Sequence, residues 1–403
     1  MLLAKIPYLS RLFWVPMQPT LHDPSLPRQV VGYLNSYTAG SSGGDQVFGE
    51  ILKRWQGDAV HVITSANGRD FLGKLGLRRC IFWITSKEPR IKSLIATYIR
   101  RTLVAFWRHP SIESGAILYA SSDFFPDMLP PLWLKIRYFR HRVVWIQKIY
   151  HLIPANRPVP FLAQKVSHWL IRHFADAVIT LDVDLLNKLK ICGFKHQILH
   201  YNVAGIDWDL ISSVAIAPGP ARFDAVCVGR LHRSKGIFDL PQIWTEVRKV
   251  WPEARLAIIG GTSDTDVVKE LRAAIAAAHG GSEDAIQLLG YLDSGSLWSL
   301  VKSARVFLCP SHEEGFGIAP IEGLASGLAV VAYDLPIYHS TVADAMFLAP
   351  RFDIQAFAER IIAAASQINP EGARKQLLNS ISIKFSWDMV AHREREVSIA
   401  AFK

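Results

Sequence analysis

Short runs of apolar residues alternate along this chain with longer stretches in which apolar positions recur every three or four residues. The first kind reads as buried β-strand and the second as amphipathic helix. "RQVVGYLN" (28–35) is the opening strand; it runs into the glycine-rich loop "SYTAGSSGGDQ" and then a helix carrying Val47, Phe48, Ile51 and Leu52. Further strands are expected at 59–64, 115–121, 142–149 and 176–182, with helices between them that include 91–108 and 160–174. Such alternation predicts a parallel sheet covered by helices on both faces.

The series then restarts. Buried-type strands at 223–231, 254–261, 285–290, 304–311 and 328–334 again alternate with helices. Between the two series lies "AIAPGPA" (215–221), a linker by composition, since Pro and Gly discourage both helix and strand. The expectation is an α/β protein of two Rossmann-like domains facing across a cleft, 29–210 and 221–385. A length of 403 residues suits two cores better than one. Residues 1–28 read as a leader, apolar but interrupted by Lys5 and Arg11, and a poor secretory signal. A disordered segment and a segment lying on a membrane surface are both compatible with it. No apolar run is long enough to span a bilayer.

Charge divides the chain unevenly. Residues 1–210 hold 26 Lys and Arg against 14 Asp and Glu, and the remainder 19 against 21. Within 74–108, Lys74, Arg78, Arg79, Lys87, Arg90, Lys92, Arg100, Arg101 and Arg108 face a single acid, Glu88. Ile91, Leu94, Ile95, Tyr98, Ile99 and Leu103 recur there at near-helical spacing. That stripe fits packing on the first sheet; the interspersed cations also fit an anionic membrane surface or an anionic acceptor. Nucleic acid is not expected, because no recognisable binding module accompanies the charge. Cys80, Cys192, Cys227 and Cys309 are scattered without a CxxC pair, which suits a reducing compartment.

Two stretches carry candidate chemistry. In "PSHEEGFGIAPIEGLASG" (310–327), Glu314 and Glu322 flank a glycine turn between a strand and a helix. Taken alone, they could be a catalytic pair, a metal site or grips on ligand hydroxyls. The turn falls at the carboxyl end of a parallel strand, where open α/β sheets bind ligands. Gly315 and Gly317 permit close backbone approach, and the first amides of the helix favour a phosphate. Glu322, about 7–8 Å along the helix axis, can reach beyond the phosphates toward a ribose. In "VGRLHRSKGIFDL" (228–240), Gly229 and Gly236 flank Arg230 and Lys235, a forked donor and a point charge suited to a diphosphate. No DxD-like cluster stands where it would bind a metal; "DVD" (182–184) reads as a helix cap.

"VGRLxxxKG" followed some eighty residues later by "PSxxEGFGxxxxxE" resembles the retaining glycosyltransferases of family four, whose two Rossmann-like domains form the GT-B architecture. "NVAGID" (202–207) is similar to the family's Asn-x-Gly-x-Asp segment, and "FSWDMVA" (385–391) to its C-terminal Trp-containing helix, which crosses back onto the N-domain as 386–403 would here. The resemblance implies transfer from a nucleotide-diphosphate sugar with retention of configuration, without metal or other cofactor. Arg230 and Lys235 would hold the diphosphate, Glu322 the ribose and Glu314 the donor sugar. Phe316, Gly317 and Ile318 would offer backbone amides. Gly43 and Gly44 match the family's N-domain glycine loop, and His151 a histidine that faces the donor sugar. In place of the frequent Gly-Gly-x-x-Glu turn stands "YDLPIYHSTVADAMFLAP", Gly323 stands where Ala is usual, and Ala329 where Pro is frequent.

The expected acceptor is a glycan or lipid-linked glycan, and the expected location cytoplasmic, peripheral at the inner face of the membrane. A sugar-nucleotide epimerase or phosphorylase of the same architecture, and a non-catalytic nucleotide-sugar-binding scaffold, are the competing readings. A dinucleotide oxidoreductase is disfavoured because no GxGxxG follows the first strand.

Overall fold

A computed structural model of the protein describes residues 29–38, 43–55, 59–87, 93–219, 221–262, 264–280, 284–367 and 371–402. The leader, 39–42 of the first glycine loop, and Glu88, Arg90, Ile91 and Lys92 lie outside the described residues.

Two sheets form among them, and every ladder in both is parallel. The first contains β1 (Gln29–Leu34), β2 (Ala59–Thr64), β3 (Ile81–Ile84), β4 (Ile117–Ala120), β5 (Val144–Lys148), β6 (Ala177–Thr180) and β7 (Leu199–Tyr201), in the order β3-β2-β1-β4-β5-β6-β7. The second contains β8 (Ala225–Val228), β9 (Leu256–Ile259), β10 (Ile286–Gly290), β11 (Val306–Cys309), β12 (Ala329–Tyr333) and β13 (Phe347–Ala349), in the order β10-β9-β8-β11-β12-β13. The helices of the first half are α1 (Gly43–Arg54), α2 (Ala66–Lys74), α3 (Leu94–Trp107), α4 (Phe125–Arg137), α5 (Pro158–Phe174), α6 (Val183–Ile191) and α7 (Trp208–Ser213). Those of the second are α8 (Leu240–Val250), α9 (Thr265–His279), α10 (Ser294–Ser303), α11 (Ile318–Ala325), α12 (Pro336–His339), α13 (Ile354–Ser366), α14 (Glu371–Phe385) and α15 (Trp387–Ala400). The two-domain α/β expectation holds. Strands β3, β7 and β13 were not anticipated; all three are edge strands of three or four residues, too short for a period to register.

Most strand positions are apolar because both faces of each sheet are covered. On β1, Val30 and Leu34 join one core while Val31 and Tyr33 join the core on the opposite face. Chain order reverses between β1 and β4 in the first sheet and between β8 and β11 in the second. A crevice opens outside the strand ends at such points, so the segments after β1, β4, β8 and β11 are the ones the fold presents to a ligand.

Helix α3 corrects the expectation that its apolar stripe packs on the sheet. The buried residues are Arg101, Thr102 and Ala105, whereas Leu94, Ile95, Ile99 and Leu103 are about half exposed or more. Arg101 earns its buried place by bridging strand ends: Nε donates to Ser86 Oγ at 2.8 Å and Nη1 to the carbonyls of Asn35 and Tyr37 at 3.1 and 2.5 Å. A buried cation is tolerated where carbonyls take its protons.

Helix α15 returns to the first domain, as the resemblance implied. Its Glu394 carboxylate is buried against Lys148 of β5, with Tyr119 and Asn202 also donating to it. Asn202 Nδ2 reaches the Val390 carbonyl at 3.1 Å, and Trp55 Nε1 the Ala391 carbonyl at 3.1 Å. Gly205 lies against the Trp387 ring, where a β-carbon has no room. "NVAGID" is therefore the seat of the returning helix.

Candidate functional site

The site is assembled by the pairing of β8 with β11, which sets "VGRLHRSKG" beside "PSHEEGFG". Two backbone contacts fasten the loops together. His312 N–H donates to the Ser234 carbonyl at 2.9 Å, and Gly236, with φ 64°, passes so close to the Pro310 carbonyl that a side chain is excluded. Lys235 Nζ then meets Glu314 Oε1 at 2.6 Å, and Ser311 Oγ donates to the same oxygen at 2.8 Å. Arg230, exposed and without an ion-pair partner among the described residues, lines the same pocket with Gly229, Lys235, Ser311, Glu314 and Ala319. Two cations and one carboxylate thus converge where a crossover sheet binds ligands.

Above the pair, Gly317 caps α11 with φ 84°, and its missing β-carbon leaves room for the Tyr338 ring, which would lie 2.6 Å from it. No side chain caps this helix end, so its first amides remain for an anion. Phe316 points the other way: its side chain is buried, 6.4 Å from the Phe385 ring. At Phe316 this leaves the backbone toward the pocket side, while Ile318 at the start of α11 is half-buried. Glu322 sits one turn into α11, makes no side-chain hydrogen bond among the described residues, and is desolvated. Burial, and to a smaller degree the nearby Asp207 carboxylate, push its pKa up to about 8. Gly323, in place of the usual Ala, packs on the Phe307 ring, 2.6 Å from where a methyl would stand.

His151, Gly43 and Gly44 lie on the other domain. Gly43 and Gly44 are the first residues of α1 rather than loop. Tyr150, the residue before His151, packs on Gly44 and donates to its carbonyl at 3.1 Å. The His151 ring is exposed and unbonded among the described residues; its backbone carbonyl accepts from Gln164 Nε2 at 2.9 Å. Gln164 is in turn held by Asp123, which also accepts from His168 Nε2 at 2.8 Å.

Three participants were not named from sequence. Ser311 orients Glu314 and lay inside the quoted motif, where its hydroxyl was the available signal. Tyr338 backs Gly317 from the segment that departs from the usual turn. Asp127 accepts from the backbone of Asn35 and Ser36 at 2.5 and 2.9 Å and from Ser36 Oγ at 2.6 Å, fixing the end of β1. Burial raises its pKa to about 6 against those hydrogen bonds. The Asp182 carboxylate caps α6 by accepting from Asp184 N–H at 2.9 Å, as its reading required. Asp182, Asp184 and Asn187 face Ile337, His339 and Ser340 across a cavity of about 460 Å³ between the domains. Among the described residues no group of His, Cys, Asp and Glu is placed to hold a metal.

Residues 217–375 match the family model described as "Glycosyl transferases group 1". A GDP-mannose:cellobiosyl-diphosphopolyprenol alpha-mannosyltransferase of Xanthomonas campestris is 30% identical over 168 residues, 41% of this chain and 43% of the relative. A glycogen synthase of Mycobacterium tuberculosis is 27% identical over 248 residues, 59% of this chain and 56% of its own. The chain thus matches these curated relatives over about half of their length. Among solved structures, Anabaena HepE in complex with UDP superposes with a TM-score of 0.69 at 17% identity, covering 92% of this chain and 98% of that one. The Escherichia coli trehalose-6-phosphate protein bound with UDP-2-fluoro glucose gives 0.70 at 12% identity, over 92% and 99%. These likenesses establish the fold as GT-B, two Rossmann-like domains.

Proposed function

We propose, for a chain whose residues 217–375 belong to the glycosyl transferases group 1 family, that the protein transfers a sugar from a nucleotide-diphosphate donor to an acceptor. The observation that carries this reading is the convergence of Arg230, Lys235 and Glu314 beneath the uncapped start of α11. Departure of a nucleoside diphosphate leaves negative charge on phosphate and oxocarbenium character on the sugar. Arg230, Lys235 and the helix amides stabilise the first. Lys235 is held by Glu314 before the donor arrives, so an incoming phosphate shares the cation and leaves Glu314 free to turn to the sugar. Glu322 lies one turn deeper, where ribose hydroxyls would give its unpartnered carboxyl both donors and acceptors.

We read 221–385 as the donor domain and 29–210 with 386–403 as the acceptor domain. His151, Gly43 and Gly44 face the transferred sugar and the acceptor in this reading. Retention of configuration, action without a divalent ion or other cofactor, and a cytoplasmic location belong to the same proposal. The acceptor is taken to be a lipid-linked or other anionic glycan, supported by the first-half charge and by one relative whose name specifies a diphosphopolyprenol substrate.

The test is a panel of UDP-, GDP- and ADP-sugars. One of them is expected to raise Tm by mass action, and nucleoside diphosphate to be released only with acceptor present. Release without acceptor would favour a hydrolase, and conversion of the donor into another nucleotide sugar without net release an epimerase. Lys235→Ala and Glu314→Gln are each expected to lower kcat by about 10²–10³-fold, with EDTA leaving the rate unchanged. Equal turnover in either variant would overturn the assignment.

A further inference from the structure

The outward sides of two helices in the first domain, α3 and α5, are built the wrong way round for water. Helices that cover a sheet normally turn polar residues to solvent. On α3, Ile95, Ile99, Leu103 and Trp107 stand four residues apart, so they form one line along the helix. They are 67%, 57%, 54% and 83% exposed, while Arg101 is fully buried on the opposite side. On α5 the same inversion recurs. Val159, Leu162, Val166 and Trp169 line the outer face, all more than half exposed, while Gln164, Ser167 and His168 are buried together with Ile171. Helix α4 packs between them and leads into Ile136 and Phe139, both exposed. Ring contacts between Tyr98 and Phe124 at 6.2 Å and between Phe106 and Trp133 at 5.7 Å make the surface continuous from α3 to α4.

The charges on these elements have one sign. Across 94–107, 125–141 and 158–174 stand Arg100, Arg101, Lys135, Arg137, Arg140, Lys165 and Arg172, against Asp127 alone, which is fully buried. Arg137 lies 5.1 Å from the Trp133 ring centre and Lys165 4.6 Å from that of Phe161. Cations resting their stems on aromatic residues beside an apolar stripe match a lipid interface, where heads reach phosphate and stems meet chains. A second copy of this chain is a poorer occupant. Lys135 is already paired with Asp176, and a twofold interface on this face would bring the remaining cations, such as Arg137, Arg140 and Lys165, against their own copies.

We propose that the outer face of α3, α4 and α5 docks this protein on an anionic phospholipid surface. Position gives the docking a use. The three helices begin after β3, β4 and β5, so Leu94, Phe124 and Val159 stand at the sheet edge that also carries Gly44 and His151. A docked domain opens its cleft beside the headgroup layer, where a lipid-linked acceptor would be presented. The use rests on the transferase reading above; the docking does not.

The experiment is flotation of the full chain with phosphatidylcholine vesicles, with or without one third phosphatidylglycerol. The anionic vesicles are expected to carry the protein, salt to weaken this, and brominated chains to quench tryptophan fluorescence. The triple variant Ile99→Glu, Leu103→Glu, Trp169→Glu, all at exposed positions, is expected to bind about tenfold more weakly or less. Its Tm and its stabilisation by the nucleotide sugar should match wild type, which separates loss of docking from loss of fold or of donor binding. Three results would each overturn the proposal: wild type ignoring anionic vesicles, the triple variant binding as wild type does, or wild type self-associating through this face until the variant makes it monomeric. Docking without any nucleotide-sugar response would leave the surface standing and remove the transferase reading.

Discussion

Among single residues, Glu322 is a carboxyl whose state the fold changes. Its carboxyl is held neutral at pH 7 by desolvation, with a pKa near 8 in place of the ordinary 4.5. The folded protein therefore keeps a proton that the unfolded chain has lost, and the resulting stability is complete below about 4.5 and lost as pH rises toward 8. Tm measured from pH 5 to 9 should fall across that window in wild type and be flatter in Glu322→Gln; parallel curves would show that the carboxyl is not so buried. The residue type and its distance from the helix start were legible in sequence. Its protonation was not, because desolvation and the Asp207 carboxylate come from the packing of a segment over a hundred residues away.

For the elements, the joint between the β8 and β11 loops decides the site. Glycine at 236 is required twice, by a left-handed backbone and by the Pro310 carbonyl against it. Gly236→Ala is expected to destabilise the protein by about 1–3 kcal/mol. It should also weaken donor-dependent stabilisation, since Lys235 is the neighbouring residue. Urea denaturation and a nucleotide titration check the two effects, and an unchanged midpoint would mean that the loops are not locked. Both motifs and their order could be read from the sequence, because glycine and charge at a strand end encode local backbone and chemistry. The orientation of α3 could not. Its sequence offers apolar groups on one side and a tall cation on the other, and only the three oxygen acceptors from Asn35, Tyr37 and Ser86 make the cation the buried one.

In the molecule as a whole, helix α15 is tied to β5 of the first domain through a buried ion pair. Burial depresses the Lys148 pKa, and Glu394 opposes that effect. Removing one partner leaves the other charged in a dry core, so Lys148→Met is expected to cost about 3–5 kcal/mol. The double variant Lys148→Met, Glu394→Gln should recover much of it, because Tyr119 and Asn202 can still bond a neutral amide. Denaturation midpoints of both proteins measure this; a single variant as stable as wild type would show that the pair is not what secures α15.

The sequence by itself determined the alternation of strands and helices, the restart near 220, and the two loops that carry Arg230, Lys235, Glu314 and Glu322. Period, turn residues and side-chain chemistry are local quantities, set within some ten residues of each position. Only the tertiary structure decided that Lys235 meets Glu314 across 79 residues, that Glu322 is neutral, that α15 is pinned by Lys148, and that α3 and α5 turn their apolar sides outward. Those outcomes depend on which strand ends become neighbours and what they leave unsatisfied, which no stretch of chain carries within itself.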